Sequence, residues 1–180
     1  MIPRLVADIQ KAIDNSCYFS ALALALALPD ICGKAAYPNE SRGSKRYIDW
    51  YEEVVGITEK PPDEDDEMPY LSGSVVYQLR CAFLHQGTPN PNIAKNKIRE
   101  ECCRTDEFSL ILSKDNFSDC SSVSKNSFQD EQIGDAIRTY EVDVRRLCFI
   151  LSACANGYYK ENKEKFNFFN CTIVEPDEQS

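Results

Sequence analysis

The sequence predicts a mainly helical protein, an antiparallel helical bundle with a small two- or three-stranded β element at its edge. Apolar residues recur at helical spacing over the first 13 positions. Near the end of the chain, apolar spacings of four and three alternate without a break from Ile133 to Tyr158, which is typical of a long helix packed at a shallow angle on its neighbours. Only two runs, 107–112 and 169–174, are typical of strands. The length of 180 residues predicts a single domain, 1–180.

The first two elements are predicted helices. The apolar face of the first helix consists of Ile2, Leu5, Val6, Ile9, Ala12 and Ile13. The second follows in the run from Cys17 to Leu28, where alanine and leucine, both strong helix formers, predict a buried helix that ends at Pro29. That run is too short to cross a bilayer, and the basic segment of a signal peptide does not precede it.

The middle of the chain predicts two further helices separated by an acidic loop. Ser44 is predicted to cap a helix whose inner face is Tyr47, Trp50, Tyr51 and Val54. Residues 58–69 form the acidic loop, whose acids do not follow the order of a calcium-binding loop. A helix over 72–86 directs Val75, Val76, Leu79 and Phe83 inward and stops before Gly87. The Ser-, Asn- and Asp-rich stretch 114–131 is a predicted polar loop.

Composition narrows the class of function. A net charge of -9 argues against a protein that coats nucleic acid through general basicity. Nine cysteines with one histidine and no Cys-x-x-Cys pair argue against a zinc site, so neither metal nor cofactor is expected. The odd cysteine count and the missing export signal predict a cytoplasmic protein with free thiols. Four cysteines lie in apolar runs and are expected to pack as small core residues: Cys17, Cys81, Cys148 and Cys154.

The residues suited to chemistry surround the only histidine, in the segment 77–90. Arg80 carries a permanent charge that can hold a phosphate, and His85 can move a proton near neutral pH. Five bases against two acids give residues 72–104 a charge of +3, which suits a polyanion. The expected ligand contacts are Tyr77, Cys81, Gln86, Asn90, Lys95 and Lys97.

A purely structural role for the same residues is the alternative. A histidine in the last turn of a helix interacts favourably with the helix dipole, and Arg80 could pair with a carboxylate of the acidic loop. Five residues along an α-helix also turn two side chains about 140° apart. Arg80 and His85 would then flank a groove, meet through unwinding of the helix end, or act together with a second protomer.

The Arg-x-x-x-x-His spacing near a helix end, in a small helical bundle, resembles the HEPN superfamily. The specific match is confined to Arg80 and His85. One departure is Cys81, because the family frequently has a polar residue such as asparagine directly after the arginine. The resemblance implies a HEPN-like bundle and a homodimer in which both copies line a shared cleft.

The resemblance also implies an activity, that of a metal-independent endoribonuclease. His85 would act as base or acid and Arg80 would stabilise charge, so that single-stranded RNA is cleaved to a 2′,3′-cyclic phosphate. Such enzymes serve in toxin or defence systems, sometimes with an antitoxin-type protein partner, and no membrane is involved. The alternative is a non-catalytic helical module that binds nucleotide, RNA or a protein partner. A serine or cysteine hydrolase is not favoured, because no Gly-x-Ser-x-Gly sequence is present.

Overall fold

A computed structural model describes residues 1–59, 71–86, 96–99, 102–112 and 136–168, and for 86, 96–99, 102–107 and 136–139 it describes the backbone alone. In this part of the chain the protein is mainly helical and carries a small sheet, as predicted. The α-helices are α1 (Ile2–Asp14), α2 (Tyr18–Ala36), α3 (Gly43–Trp50), α4 (Gly56–Glu59), α5 (Gly73–Cys81) and α6 (Val144–Glu161). The strands are β1 (Asn96–Arg99), β2 (Cys102–Ile111) and β3 (Ala136–Asp143).

The buried helix α2 packs against α1, α3 and α6. The predicted end of this helix at Pro29 is wrong, because the helix continues through the proline to Ala36. Cys32, Gly33 and Ala35 are buried in its second half, and this packing outweighs the cost of about 3 kcal/mol for an interior proline. At 19 residues with a mean hydropathy of 1.4, α2 is long and apolar enough to cross a membrane, although half of that segment is buried inside the protein.

At Gly33, α2 and α3 lie too close together to leave room for a side chain. A Cβ atom at this glycine would lie 2.5 Å from the backbone oxygen of Arg46 on α3. That distance is far inside van der Waals contact, and a backbone atom cannot swing aside as a side chain can. The two helices therefore require glycine at this point.

We expect Gly33→Ala to lower the free energy of unfolding by about 1–3 kcal/mol, because the two helices must separate to admit the methyl group. The matched control is Gly157→Ala in α6, where a Cβ atom meets nothing within 4 Å. That change should stabilise the protein by about 0.5–1 kcal/mol through helix propensity. Urea denaturation of the two variants measures both effects, and equal midpoints would contradict the close approach.

The start of α3 differs from the prediction. The helix begins at Gly43, and its N-cap is Arg42, without a side-chain cap, so the assignment of Ser44 as the cap is wrong. The predicted inner face is largely confirmed, since Tyr47, Trp50 and Tyr51 are buried. Val55 rather than Val54 is buried next, because the backbone widens into a π-helical turn over Tyr51–Val55 and the helical period changes there.

The first two residues of the predicted acidic loop 58–69 are helical rather than in a loop. Thr58 and Glu59 lie in α4, and the Glu59 carboxylate accepts two hydrogen bonds of 2.9 Å from the guanidinium of Arg146. The Glu59 side chain is only 6% exposed, so it belongs to a buried ion pair rather than to a solvated loop. The rest of the predicted loop, and the polar loop 114–131, lie outside the described residues.

The predicted long C-terminal helix is wrong over its first half. Ile137 and Tyr140 belong to β3, and α6 begins only at Val144. Tyr140 and Val142 are buried while Glu141 between them is exposed, which is the period of two of a strand. Asp143 then starts the helix, because its Oδ1 accepts hydrogen bonds from the backbone N–H groups of Arg145 and Arg146.

The small sheet has the order β1-β2-β3, with β2 antiparallel to β1 and parallel to β3. The prediction of a strand at 107–112 is confirmed as far as Ile111, the end of β2. Phe108 on β2 lies opposite Tyr140 on β3, and their buried rings stack at a centroid distance of 5.5 Å. The second predicted strand, 169–174, lies outside the described residues.

Candidate functional site

The site begins with the local structure of α5. Ser72 caps the helix, because its Oγ accepts a hydrogen bond from the backbone N–H of Val75, and Val75, Val76 and Leu79 are buried as predicted. The final turn differs from the rest of the helix, since Ala82–Gln86 form a π-helical turn. Wide turns of this kind recur at functional sites.

The π-helical turn brings Arg80 and His85 together. Its backbone hydrogen bonds join residues five apart, so residue 85 lies nearer to residue 80 than the α-helical angle of about 140° allows. Nη1 of Arg80 lies 2.9 Å from Nε2 of His85. Because a guanidinium can only donate, this contact is a hydrogen bond in the tautomer of His85 that accepts at Nε2 and carries its proton on Nδ1.

Asp30 on α2 fixes the arginine from the other side. Its Oδ2 accepts a hydrogen bond of 3.0 Å from Nε of Arg80 and lies 3.0 Å from Nη2 in an ion pair. The carboxylate that the structure describes next to Arg80 is therefore in the buried helix, and the acidic loop beyond Glu59 lies outside the described residues. Sequence reasoning missed Asp30 because α2 was expected to end at Pro29; an acid within a continuous apolar helix would have been the signal.

Burial and charge act in opposite directions on this ion pair. Burial raises the pKa of the Asp30 carboxyl, although the neighbouring Arg80 charge favours its ionised form. Partial burial lowers the pKa of Arg80, but the Asp30 carboxylate and the Cys81 thiol reverse this effect, so that the net pKa of Arg80 is raised. The arginine is therefore held in its charged form, while the aspartate protonates at higher pH than an ordinary aspartate does.

Cys81 and Tyr77 lie behind the arginine. Cys81 Sγ is 4.0 Å from Nη1 of Arg80, a weak acceptor where the HEPN resemblance implies a polar side chain. Tyr77 is half-buried and its ring meets that of Tyr47 edge to face, with centroids 5.2 Å apart. Burial raises the pKa of Tyr77, as does its hydrogen bond to Cys81. Both residues thus support Arg80 from within the bundle.

The front of the site is open to solvent. His85 is exposed, whereas the Arg80 side chain is 21% and the Asp30 side chain 32% exposed. A ligand can therefore reach the imidazole directly and the guanidinium at one edge. Of the other predicted ligand contacts, Gln86 and Lys97 are described in backbone only, and Asn90 and Lys95 lie outside the described residues.

The other residues suited to chemistry are the cysteines and the acids of the described segments. Among the residues from 1–59, 71–86 and the later described segments, no group of three or more His, Cys, Asp or Glu is arranged to hold a metal ion. The described cysteines have free thiols: Cys17, Cys32, Cys81, Cys148 and Cys154. Burial raises the pKa of the Cys32 and Cys148 thiols to about 12. Cys17 is exposed, so its expected place in the core is wrong.

A cavity of about 370 Å³ lies elsewhere, between α1 and α6. Apolar residues such as Ile9 and Phe149 line most of it, with Ser152 and Asn156. The Oγ of Ser152 and the Oδ1 of Asn156 are buried and have no hydrogen-bond partner among the described residues. No described residue lining this cavity is a histidine or an acid, so acid–base chemistry is better placed at Arg80 and His85.

Comparison of the chain with protein-family models, with curated proteins and with solved structures gives no match. The description of the site therefore rests on the positions of its side chains alone. The site is an exposed imidazole in contact with an arginine that a half-buried carboxylate orients. Such an arrangement can bind an anion and move a proton beside it.

Asp30 is a positioning residue, and its removal should affect the arginine rather than the fold. For the RNA cleavage that the HEPN resemblance implies, we expect Asp30→Asn to lower the rate about 10- to 100-fold, because a hydrogen bond to a charged group contributes about 1.5–3 kcal/mol. Because the pKa of the Asp30 carboxyl is raised, the wild type should lose its advantage over the variant as the pH falls, so that the ratio of the two rates shrinks. Rates measured across pH test both expectations.

The matched control is Asp49→Asn, which removes an aspartate paired with Lys45 on α3. It should leave the rate and its pH profile unchanged. A wild-type rate in Asp30→Asn, or a ratio of the two rates that stays constant as the pH falls, would show that ionised Asp30 does not position Arg80 for the reaction.

Proposed function

We propose that this protein is a cytoplasmic, metal-independent endoribonuclease with a HEPN-like bundle, which cleaves single-stranded RNA to a 2′,3′-cyclic phosphate. One observation carries the proposal: the 2.9 Å contact between Nη1 of Arg80 and Nε2 of His85 at an exposed helix end. The contact unites the two groups that the reaction needs, a cation for the phosphate and a base for the ribose hydroxyl. A role in a toxin or defence system is part of the proposal.

The hydrogen bonds of Arg80 leave donors for a phosphate. Asp30 accepts a hydrogen bond from Nε and forms an ion pair with Nη2, while Nη1 faces the imidazole and a weak sulfur acceptor. A guanidinium has five N–H groups, and the two on Nη1 can exchange the imidazole and the thiol for a phosphate oxygen. A charged acceptor makes the stronger hydrogen bond.

In the proposed reaction, the substrate 2′-hydroxyl takes the place of Nη1 as the donor to Nε2 of His85. The hydroxyl proton passes to Nε2 while the 2′-oxygen bonds to phosphorus. The bond from phosphorus to the 5′-oxygen breaks, and that oxygen takes up a proton as the leaving group. Arg80 stabilises the extra negative charge on the non-bridging oxygens during this displacement.

A second copy of the chain completes the site in this proposal. The attacking and leaving oxygens lie roughly in line on opposite sides of phosphorus, so one imidazole cannot adjoin both. With a single histidine in the chain, His85 of a second copy supplies the other proton-transfer group. We therefore propose a homodimer in which the two Arg80–His85 segments share a cleft. Light scattering should report about twice the chain mass of 20.4 kDa.

Two observations favour a second candidate, a non-catalytic module that binds nucleotide, RNA or a protein partner such as an antitoxin. Asp30 neutralises much of the Arg80 charge, and Cys81 offers only a weak hydrogen bond where a polar side chain would orient the pair. In such a module Arg80 would bind without catalysing. Changing Cys81 to Asn would then be the first step toward creating activity.

The two candidates are separated by mixing the wild-type protein with single-stranded RNA in excess EDTA. The endoribonuclease should produce shorter products with 2′,3′-cyclic phosphate ends, identified by mass spectrometry, and should leave single-stranded DNA intact. Retention of full-length RNA on the protein would favour the binding module. Cleavage that requires added magnesium would contradict the proposed mechanism.

A further inference from the structure

An exposed aromatic pair joins the start of α2 to the π-helical turn that carries His85. Phe19, in the first turn of α2, is 73% exposed. Its ring stacks on the half-buried ring of Phe83, with centroids 6.0 Å apart and planes 26° apart. Phe83 backs the pair from within the bundle, so Phe19 presents most of its surface to solvent.

Phe83 links the aromatic pair to the site, because it belongs to the same turn as His85. Phe83 is part of the π-helical turn and stands between Arg80 and His85 in sequence. The same wide turn therefore holds the imidazole, the arginine contact and the support of the exposed ring. Phe19 lies eleven residues before Asp30, the partner of Arg80, and therefore about 16 Å from it along the axis of α2. A single strand that spans this distance would place one base on the ring and the phosphate of a nearby nucleotide at the arginine.

We infer that Phe19, supported by Phe83, is a stacking platform for an unpaired base of the RNA held at Arg80 and His85. This inference rests on the proposed function and adds to it the group that selects single strands. A single strand alternates anionic phosphates with flat bases, which suits a cation and an aromatic ring that are set apart along one helix. Bases stack on aromatic side chains in single-strand sites without regard to sequence, because every base has a π-face.

The platform also accounts for the exclusion of duplexes. In a double helix both faces of each base are covered by its neighbours, whereas an unstacked base of a single strand can lie on a ring. Phenylalanine offers no hydrogen-bonding group, so the platform should not distinguish one base from another. The chemistry of the pair thus predicts a single-strand preference without a base preference.

The test is equilibrium binding of two non-cleavable 2′-deoxy oligonucleotides to the wild-type protein and to Phe19→Leu. One oligonucleotide carries bases throughout, and the other is abasic at its central positions. Phe19→Leu should weaken binding of the base-carrying strand about tenfold and should leave binding of the abasic strand unchanged. Phe19→Trp, which keeps an aromatic face, should bind the base-carrying strand as tightly as the wild type does.

The matched control is Ile57→Ala, which removes an exposed apolar side chain of similar exposure, 75%, from α4. It should not alter binding of either strand. Equal affinity of the wild type for the two strands, or an equal loss on both in Phe19→Leu, would overturn the inference. Conversion of a dimer to a monomer by Phe19→Leu would overturn it as well, since the ring would then contact a second copy of the chain. RNA cleavage is scored separately, so failure of the proposed reaction is distinguishable from failure of the platform.

Discussion

Replacing His85 with alanine should abolish cleavage of single-stranded RNA. His85 is the only histidine in the chain, so a dimer of this variant has no imidazole to take the 2′-hydroxyl proton. Loss of a general acid or base typically lowers a rate by about 10²–10⁴-fold. The measurement is the initial rate of RNA cleavage in excess EDTA, followed on gels with end-labelled RNA.

The variant should remain folded, because His85 is exposed and surface changes usually alter stability by less than about 0.5 kcal/mol. Its circular dichroism and urea midpoint serve as the control. A folded His85→Ala protein that cuts RNA at the wild-type rate would exclude His85 from the reaction.

Replacing Arg80 with alanine should lower the cleavage rate about 10²–10³-fold. Donors that stabilise developing negative charge contribute about 2.7–4 kcal/mol to catalysis, and Arg80 is the cation in contact with the reacting imidazole. Arg80→Lys should recover little of this loss, because an ammonium cannot bond Asp30 and a phosphate through a planar fork. Single-turnover rates with saturating protein measure the effect on the chemical step.

Arg42→Ala is the matched control for Arg80, since Arg42 is exposed and pairs with Glu40 at the start of α3. It should retain the wild-type rate. Equal single-turnover rates for the wild type and Arg80→Ala would show that Arg80 gives no charge stabilisation. Weakened binding of RNA with an unchanged rate would assign Arg80 to the binding module instead.

Helical periodicity predicted much of the bundle because burial follows the 3.6-residue period closely. Tyr47, Trp50 and Tyr51, and then Val75, Val76 and Leu79, are buried as their spacing indicated. The same rule failed for β3, where Ile137 and Tyr140 fit a four-and-three spacing by coincidence. In β3 the alternation of Tyr140, Glu141 and Val142 indicates a strand, since aromatic and β-branched residues favour strands.

The second wrong prediction was the end of α2 at Pro29, and because of it Asp30 was not recognised as part of the site. An interior proline usually ends a helix, but the burial of Cys32, Gly33 and Ala35 carries α2 past Pro29. Local sequence cannot reveal such packing, because it depends on α3 lying against α2. Asp30, the partner of Arg80, therefore became visible only in three dimensions.

The sequence predicted that Arg80 and His85 act together, but it did not predict that their side chains are in contact. Their separation of five residues is unfavourable on an α-helix and suits a π-helical turn. Nothing in the residues 82–86 singles out that backbone form beforehand. The site thus depends on a local change of helix type together with a carboxylate from a distant segment.

The central claim is tested most directly with a DNA strand that contains one ribonucleotide, incubated with wild-type protein and with His85→Ala in excess EDTA. Mass spectrometry of the products locates the cut and identifies its ends. The account predicts that the wild type cuts only on the 3′ side of the single ribose and leaves a 2′,3′-cyclic phosphate, and that His85→Ala leaves the strand intact. Cutting at a deoxyribose, or equal cutting by His85→Ala, would contradict it.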